Sequence, residues 1–169
     1  MRVFLTGATG FIGSAIVPEL INAGHQVLGL TRSDAGAQSL LAAGAEVHRR
    51  SLEDLASLRS GAAMSDGVIH CAFDNDFSKF RESAELEKHA IEALGDALAG
   101  SGRPLIVTSG LAPLDAPKRP VTEDADEPTV SPFPRVPEQV ARAMSSQGVT
   151  VTVVRLSHVH NTVKQGLAG

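Results

Sequence analysis

The segment Arg2-Val3-Phe4-Leu5-Thr6-Gly7-Ala8-Thr9-Gly10-Phe11-Ile12-Gly13 most constrains what this chain can fold into. A short β-prone run stops at Gly7, glycine then recurs at every third position, and a helical pattern begins. Phe11 to Ala23 reads as that helix, with Ile12, Ala15, Ile16, Leu20 and Ile21 on one face. Pro18 inside it predicts a kink or an early irregular turn, and Gly24 is a natural stop. The loop is a G-x-x-G-x-x-G variant of the dinucleotide fingerprint. Gly7 makes the tight turn off the strand. Gly10 leaves the backbone bare where a pyrophosphate approaches, and Gly13 lets the helix pack close to the sheet. The helix N-terminus adds free N–H groups and positive potential. Thr9, Phe11 and Ile12 share the loop and join the glycines as candidate cofactor contacts. The alternative is a glycine-rich turn that holds no ligand. A strand directly before the loop and a helix directly after it favour the dinucleotide.

The rest of the chain repeats the alternation. Gln26–Leu30 reads as strand, 35–43 as helix, Ala45–Arg49 as strand and 52–63 as helix. Gly67–Ala72 is a buried strand, and 77–98 is the longest helix, with Phe80, Ala84, Ala90, Ile91, Leu94 and Leu98 as its core stripe. Leu105–Thr108 is a fifth strand, 138–147 a helix and Val149–Leu156 a sixth strand. Seven of the nine prolines lie between Pro113 and Pro137 among acidic residues, which predicts an irregular surface loop. Alternating strands and helices imply an α/β fold: a Rossmann-type, doubly wound parallel sheet of about six strands in three α/β/α layers. Strands 1, 4 and 5 are apolar on both faces, as a covered parallel sheet requires. Ligands of such sheets sit outside the carboxyl ends of the strands, so the residues that follow each strand carry the function.

Composition narrows the partners. The 169 residues carry 15 Lys+Arg against 19 Asp+Glu, a net charge of −4 that argues against a general nucleic-acid binder. Cys71 is the only cysteine, which excludes a disulfide framework and a cysteine-built zinc site and makes the cytoplasm the default compartment. No metal site is expected. No apolar stretch approaches the ~20 residues that span a bilayer.

After strand 2 the chain reads Leu30-Thr31-Arg32-Ser33. A ribose 2′-hydroxyl reader there would be an acid, and a 2′-phosphate calls for Arg. Arg32 can fork onto a phosphate, with Thr31 and Ser33 as added hydroxyl donors, which favours NADP. Asp34 is near enough to keep NAD open. Ser51 and Leu52, after strand 3, would border the adenine. Cys71, Ala72 and Phe73, after strand 4, are small or apolar where the cofactor backbone would pass, and Cys71 reads as a small core residue.

Together, Thr6–Gly13, Arg32-Ser33, His70-Cys71-Ala72, Thr108-Ser109 and Arg155–Asn161 resemble the short-chain dehydrogenase/reductase superfamily, in its NAD-dependent epimerase/dehydratase branch. The resemblance covers nearly the whole chain and implies an NAD(P)-binding Rossmann domain over 1–169, with Thr108 beside the cofactor. It also implies a Ser/Thr after strand 5, a Tyr acid/base and a Lys four residues later. Ser109 stands near the first position, although an ungapped match falls on Gly110. The family's Glu four residues past the Lys matches Glu138, seventeen residues before Arg155. Counting back puts the Lys at Pro134 and the Tyr at Val130, and the chain holds no Tyr. Another proton donor is then required. His70, His158 and His160 are candidates because histidine titrates near neutrality. Lys118 and Arg135 are candidates to neutralise an anionic substrate.

The resemblance further implies a smaller C-terminal substrate domain, which this chain would lack, as a fragment or truncated product would. Members of the superfamily often dimerise through the helices matching 77–98 and 138–147, so a homodimer is a candidate assembly. The leading function is an NAD(P)-dependent oxidoreductase or epimerase/dehydratase-like protein acting on an unidentified small molecule, with neither nucleic acid nor membrane as partner. A non-catalytic NADP-binding module, such as a redox sensor, and an inactive fragment remain the alternatives.

Overall fold

The computed structural model describes residues 1–110 and 136–156. In chain order these form β1 (Arg2–Thr6), α1 (Gly13–Asn22), β2 (Gln26–Thr31), α2 (Asp34–Ala42), β3 (Glu46–Arg49), α3 (Leu55–Ala63), β4 (Gly67–His70), a 3-10 turn (Phe77–Lys79), α4 (Phe80–Leu98), β5 (Pro104–Gly110), α5 (Pro137–Ser146) and β6 (Thr150–Leu156). The strands make one sheet of order β3-β2-β1-β4-β5-β6. Every pairing is parallel. Thr6, Thr31, Arg49, His70, Gly110 and Leu156 therefore end their strands on the same edge. Strand order reverses between β1 and β4, which is where open α/β sheets hold ligands.

Alternation of side chains along the strands divides the core in two. Phe4, Leu28, Leu30, Val68, Leu105 and Val107 meet α3, α4 and α5 on one face, through Leu58, Ile91, Leu94, Leu98, Val140 and Met144. Leu5, Val27, Val17 and Leu40 form the second core under α1 and α2. The α4 stripe is as its spacing predicts: Ala84, Ala90, Ile91, Leu94 and Leu98 are buried, and Phe80 is half-buried.

Several boundaries differ from the sequence pattern. The first helix starts at Gly13, because Gly7–Ile12 close a turn first, and its buried centre is Val17 rather than Ala15, which is exposed. It runs continuously from Gly13 to Asn22 across Pro18. The third helix begins at Leu55 rather than Leu52, since Asp54 accepts from the Ser57 N–H and caps it there. β4 ends at His70, so Cys71 and Ala72 lie past the strand. The start of the long helix is a 3-10 turn. Of the proline-rich stretch, 113–135 lies outside the described residues, and Pro137 opens α5 at its first turn, where a missing N–H costs nothing. Among the described residues no helix is long and apolar enough to cross a membrane.

Candidate functional site

The glycine loop lies at the reversal of strand order. Gly7 has φ +70°, and a Cβ there would sit 2.8 Å from the Ala72 nitrogen and the Cys71 carbonyl group. Only glycine adopts that turn while touching the chain that leaves β4. The Gly10 N–H donates to the Gly7 carbonyl at 2.9 Å and closes the turn. A Cβ at Gly13 would run into that same carbonyl oxygen and lie 2.8 Å from the Ala8 Cα. The close approach at Gly13 brings the start of α1 against the backbone that leaves β1. Gly10 differs from both. A Cβ there would meet only the Gly7 oxygen, at 3.1 Å, so its other side is open.

The helix behind the loop is prepared differently from its neighbours. Ile12 at the head of α1 gives no side-chain cap, and the first turn holds no acid. In α2, Ser33 accepts from the Gly36 N–H and Asp34 sits in the first turn. Neither Ile12 nor the first turn of α1 thus brings a side-chain acceptor to its positive end, which suits a phosphate-facing terminus.

The second corner is the end of β2. Gly36 brings it against the loop: a Cβ there would crowd the Thr31 hydroxyl, 3.0 Å from Ser33 Oγ and 3.1 Å from Thr9 Cγ2. Thr31 is buried, and its hydroxyl oxygen faces the Ser33 N–H at 3.5 Å. Its side chain faces Gly36 and braces the corner. Ser33 and Arg32 are exposed. Among the described residues the Arg32 guanidinium makes no ion pair. Register pairs Thr31 with Arg49, and the Arg50 N–H donates to the Thr31 carbonyl at 3.1 Å. Arg49 and Arg50 therefore share the corner, and sequence reasoning missed both. The signal was available as two consecutive arginines closing the strand next to β2.

Past β3, Ser51 and Leu52 are half-buried in the turn before α3, and Leu52 packs partly on the main core. Past β4, Phe73 stacks edge-on to Phe80 with ring centroids 5.5 Å apart. Cys71 packs against the second core, and burial pushes its thiol up to about 11 despite a hydrogen bond with Thr108. That environment suits a packing residue and keeps it from acting as a nucleophile.

His70 is fully buried, with Nδ1 2.8 Å from Thr6 Oγ1. Its carbonyl accepts from the Thr108 hydroxyl at 3.1 Å. These contacts link β1, β4 and β5 under the loop. They hold His70, fully buried, between β1 and β5 at the end of β4. Ser109 is buried with its hydroxyl 3.3 Å from the Gly110 carbonyl, and Gly110, the neighbouring match, is exposed at the strand end. His158, His160, Lys118, Arg135, Val130 and Pro134 lie outside the described residues.

Glu138 lies in the first turn of α5 and is 1 % exposed. Arg155 donates from Nε at 2.9 Å and from Nη2 at 2.6 Å, and Arg142 adds Nη2 at 2.9 Å. The Arg155 hydrogen bonds hold its carboxyl below the usual range against the opposing effect of burial, and Arg142 assists. Among the described residues no group of His, Cys, Asp and Glu is arranged to hold a metal ion.

The chain is similar to known proteins over most of its length. An uncharacterized protein of Schizosaccharomyces pombe is 46% identical over 157 residues, covering 92% of this chain and 53% of that protein. One of Saccharomyces cerevisiae is 40% identical, again covering 92% of this chain and 53% of the relative. The chain thus spans about half the length of these curated relatives. The fold matches a short-chain dehydrogenase/reductase superfamily protein from Agrobacterium tumefaciens, solved with bound NAD, at a TM-score of 0.77 and 24% identity, covering 95% of this chain and 50% of that one. With the family model matching residues 3–161, the chain belongs to the NAD dependent epimerase/dehydratase family.

Proposed function

We propose that this chain is an NAD(P)-dependent oxidoreductase or epimerase/dehydratase-like protein that binds the dinucleotide on the Gly7–Gly13 loop and acts on a small molecule. The observation that carries the reading is the loop's asymmetry. Gly7 and Gly13 are closed in by backbone, Gly10 is open on its outer side, and an uncapped α1 begins behind it. That is a cradle a Cβ would fill, and it fits a pyrophosphate. A bound nicotinamide dinucleotide supplies hydride donation and acceptance. The chain's part is to hold the phosphates at the loop, border the adenine with Ser51 and Leu52, and pass the cofactor over Ala72 and Phe73.

NADP is the preferred form in this reading, supported by the exposed Arg32 after β2 and the two arginines beside it. For the proton, Ser109 at the end of β5 and His158 and His160 after β6 are the groups we assign. The lack of any Tyr in the sequence, with Pro134 at the Lys position, favours a second reading as a non-catalytic NADP-binding module. Turnover of a panel of carbonyl compounds with NADPH separates the two.

Nucleotide titrations of Arg32→Ala test the cofactor assignment. Losing a charge-assisted fork should weaken NADPH by roughly 10- to 100-fold and NADH little. Equal losses for both nucleotides would mean that Arg32 does not read the 2′-phosphate.

A further inference from the structure

We propose that Arg49 is a specificity-determining residue, which opens the β2 corner to a 2′-phosphate by neutralising Asp34. The inference rests on the dinucleotide reading above. Asp34 follows Arg32 by two positions and is the first residue of α2, so its carboxylate lies at the corner where a 2′-phosphate would be received. Unpaired, it would repel the phosphate and favour a ribose hydroxyl instead.

The fold supplies the counter-charge from another strand. Register sets Arg49 opposite Thr31, whose side chain faces α2, and parallel partners project to the same face. Arg49 Nη1 reaches Asp34 Oδ1 at 2.6 Å. The adjacent Arg50 projects to the other face, with Nε 3.6 Å from Asp54 at the head of α3. The charges of Asp34 and Asp54 are thus met by Arg49 and Arg50, and among the described residues Arg32 makes no ion pair. Without Arg49, Asp34 loses its ion-pair partner two residues from Arg32. Both members of the pair are solvent-accessible, so the ion pair adds little to folding, and its effect is on the potential a ligand meets.

The test is the ratio of NADPH to NADH dissociation constants, measured by titration of the 169-residue chain and its variants with circular dichroism as the folding control. Arg49→Ala should lower the preference for NADPH by about 3- to 10-fold, the effect of one solvent-screened charge several ångströms from a phosphate. Asp34→Asn should raise the preference, and Asp34→Asn in the Arg49→Ala background should return it close to the wild-type ratio. An unchanged ratio in folded Arg49→Ala, with Arg32→Ala still selective against NADPH, would overturn the role of Arg49 and leave the cofactor reading standing. Loss of selectivity in neither Arg32→Ala nor Arg49→Ala, or no binding of either nucleotide, would overturn both.

Discussion

Arg155 on β6 grips Glu138 on α5 with two hydrogen bonds, from Nε to Oε2 at 2.9 Å and from Nη2 to Oε1 at 2.6 Å. The bonds lock the first turn of α5 to the outermost strand, which nothing else in the described sheet flanks on its far side. Removing one partner of a buried pair strands the other charge. Glu138→Gln should therefore cost about 3 kcal/mol in urea unfolding at pH 7. Because the folded carboxyl is depressed, its contribution is present above the unfolded value near 4.5 and is lost as pH falls through the folded value. The gap between wild type and variant should shrink below pH 4.5. A gap that is constant from pH 7 to pH 3 would show that the ion pair is not its cause.

The loop glycines should separate by consequence. Gly13→Ala drives a Cβ into the Gly7 carbonyl and the Ala8 Cα, so thermal stability should fall together with binding. Gly10→Val meets one backbone oxygen and otherwise projects outward, so the fold should persist while nucleotide binding is lost. Melting curves beside titrations check both, and a Gly10→Val chain with wild-type affinity would remove the loop from the site.

Arg103 joins the ends of two helices on the opposite edge of the sheet. Its guanidinium donates to the carbonyls of Ala62 at 2.9 Å and Ser65 at 2.7 Å, at the end of α3, and of Ala97 at 3.1 Å in the last turn of α4. A cation there adds hydrogen bonds to carbonyls at the negative ends of both helices. Arg103→Ala should destabilise the chain by about 2 kcal/mol, and Arg103→Lys should recover only part, since an ammonium cannot match the planar fork. Full recovery with Lys would reduce the role to charge alone.

Cys71 should resist modification. With its thiol raised to about 11, alkylation by iodoacetamide at pH 8 should be slow in the native chain and fast in urea. Rapid native labelling would contradict the packed environment around it.

Much of this molecule was legible in its residues, and the reasons are local. Hydrophobic periodicity marks α4, and the strands alternating with helices imply the parallel sheet. The glycines at three-residue spacing mark the loop. What sequence could not supply was pairing across distance. The contact of Arg49 with Asp34 depends on β3 lying beside β2 in register, and the burial of His70 depends on β4 sitting between β1 and β5. Both follow from strand order, which no spacing along the chain encodes. The direction of Thr31 follows from strand alternation, which turns it toward Gly36 while Arg32 beside it is exposed. The catalytic side stayed indistinct because its motif positions, Val130 and Pro134, carry residues without the required chemistry.

The central claim is that the Gly7–Gly13 loop holds a nicotinamide dinucleotide. Calorimetric titration of the purified chain with NADPH tests it most directly, with Gly10→Val as the control. The account predicts saturable one-site binding that the folded variant loses. A folded wild-type chain that gives no binding isotherm with NADPH or NADH would contradict it.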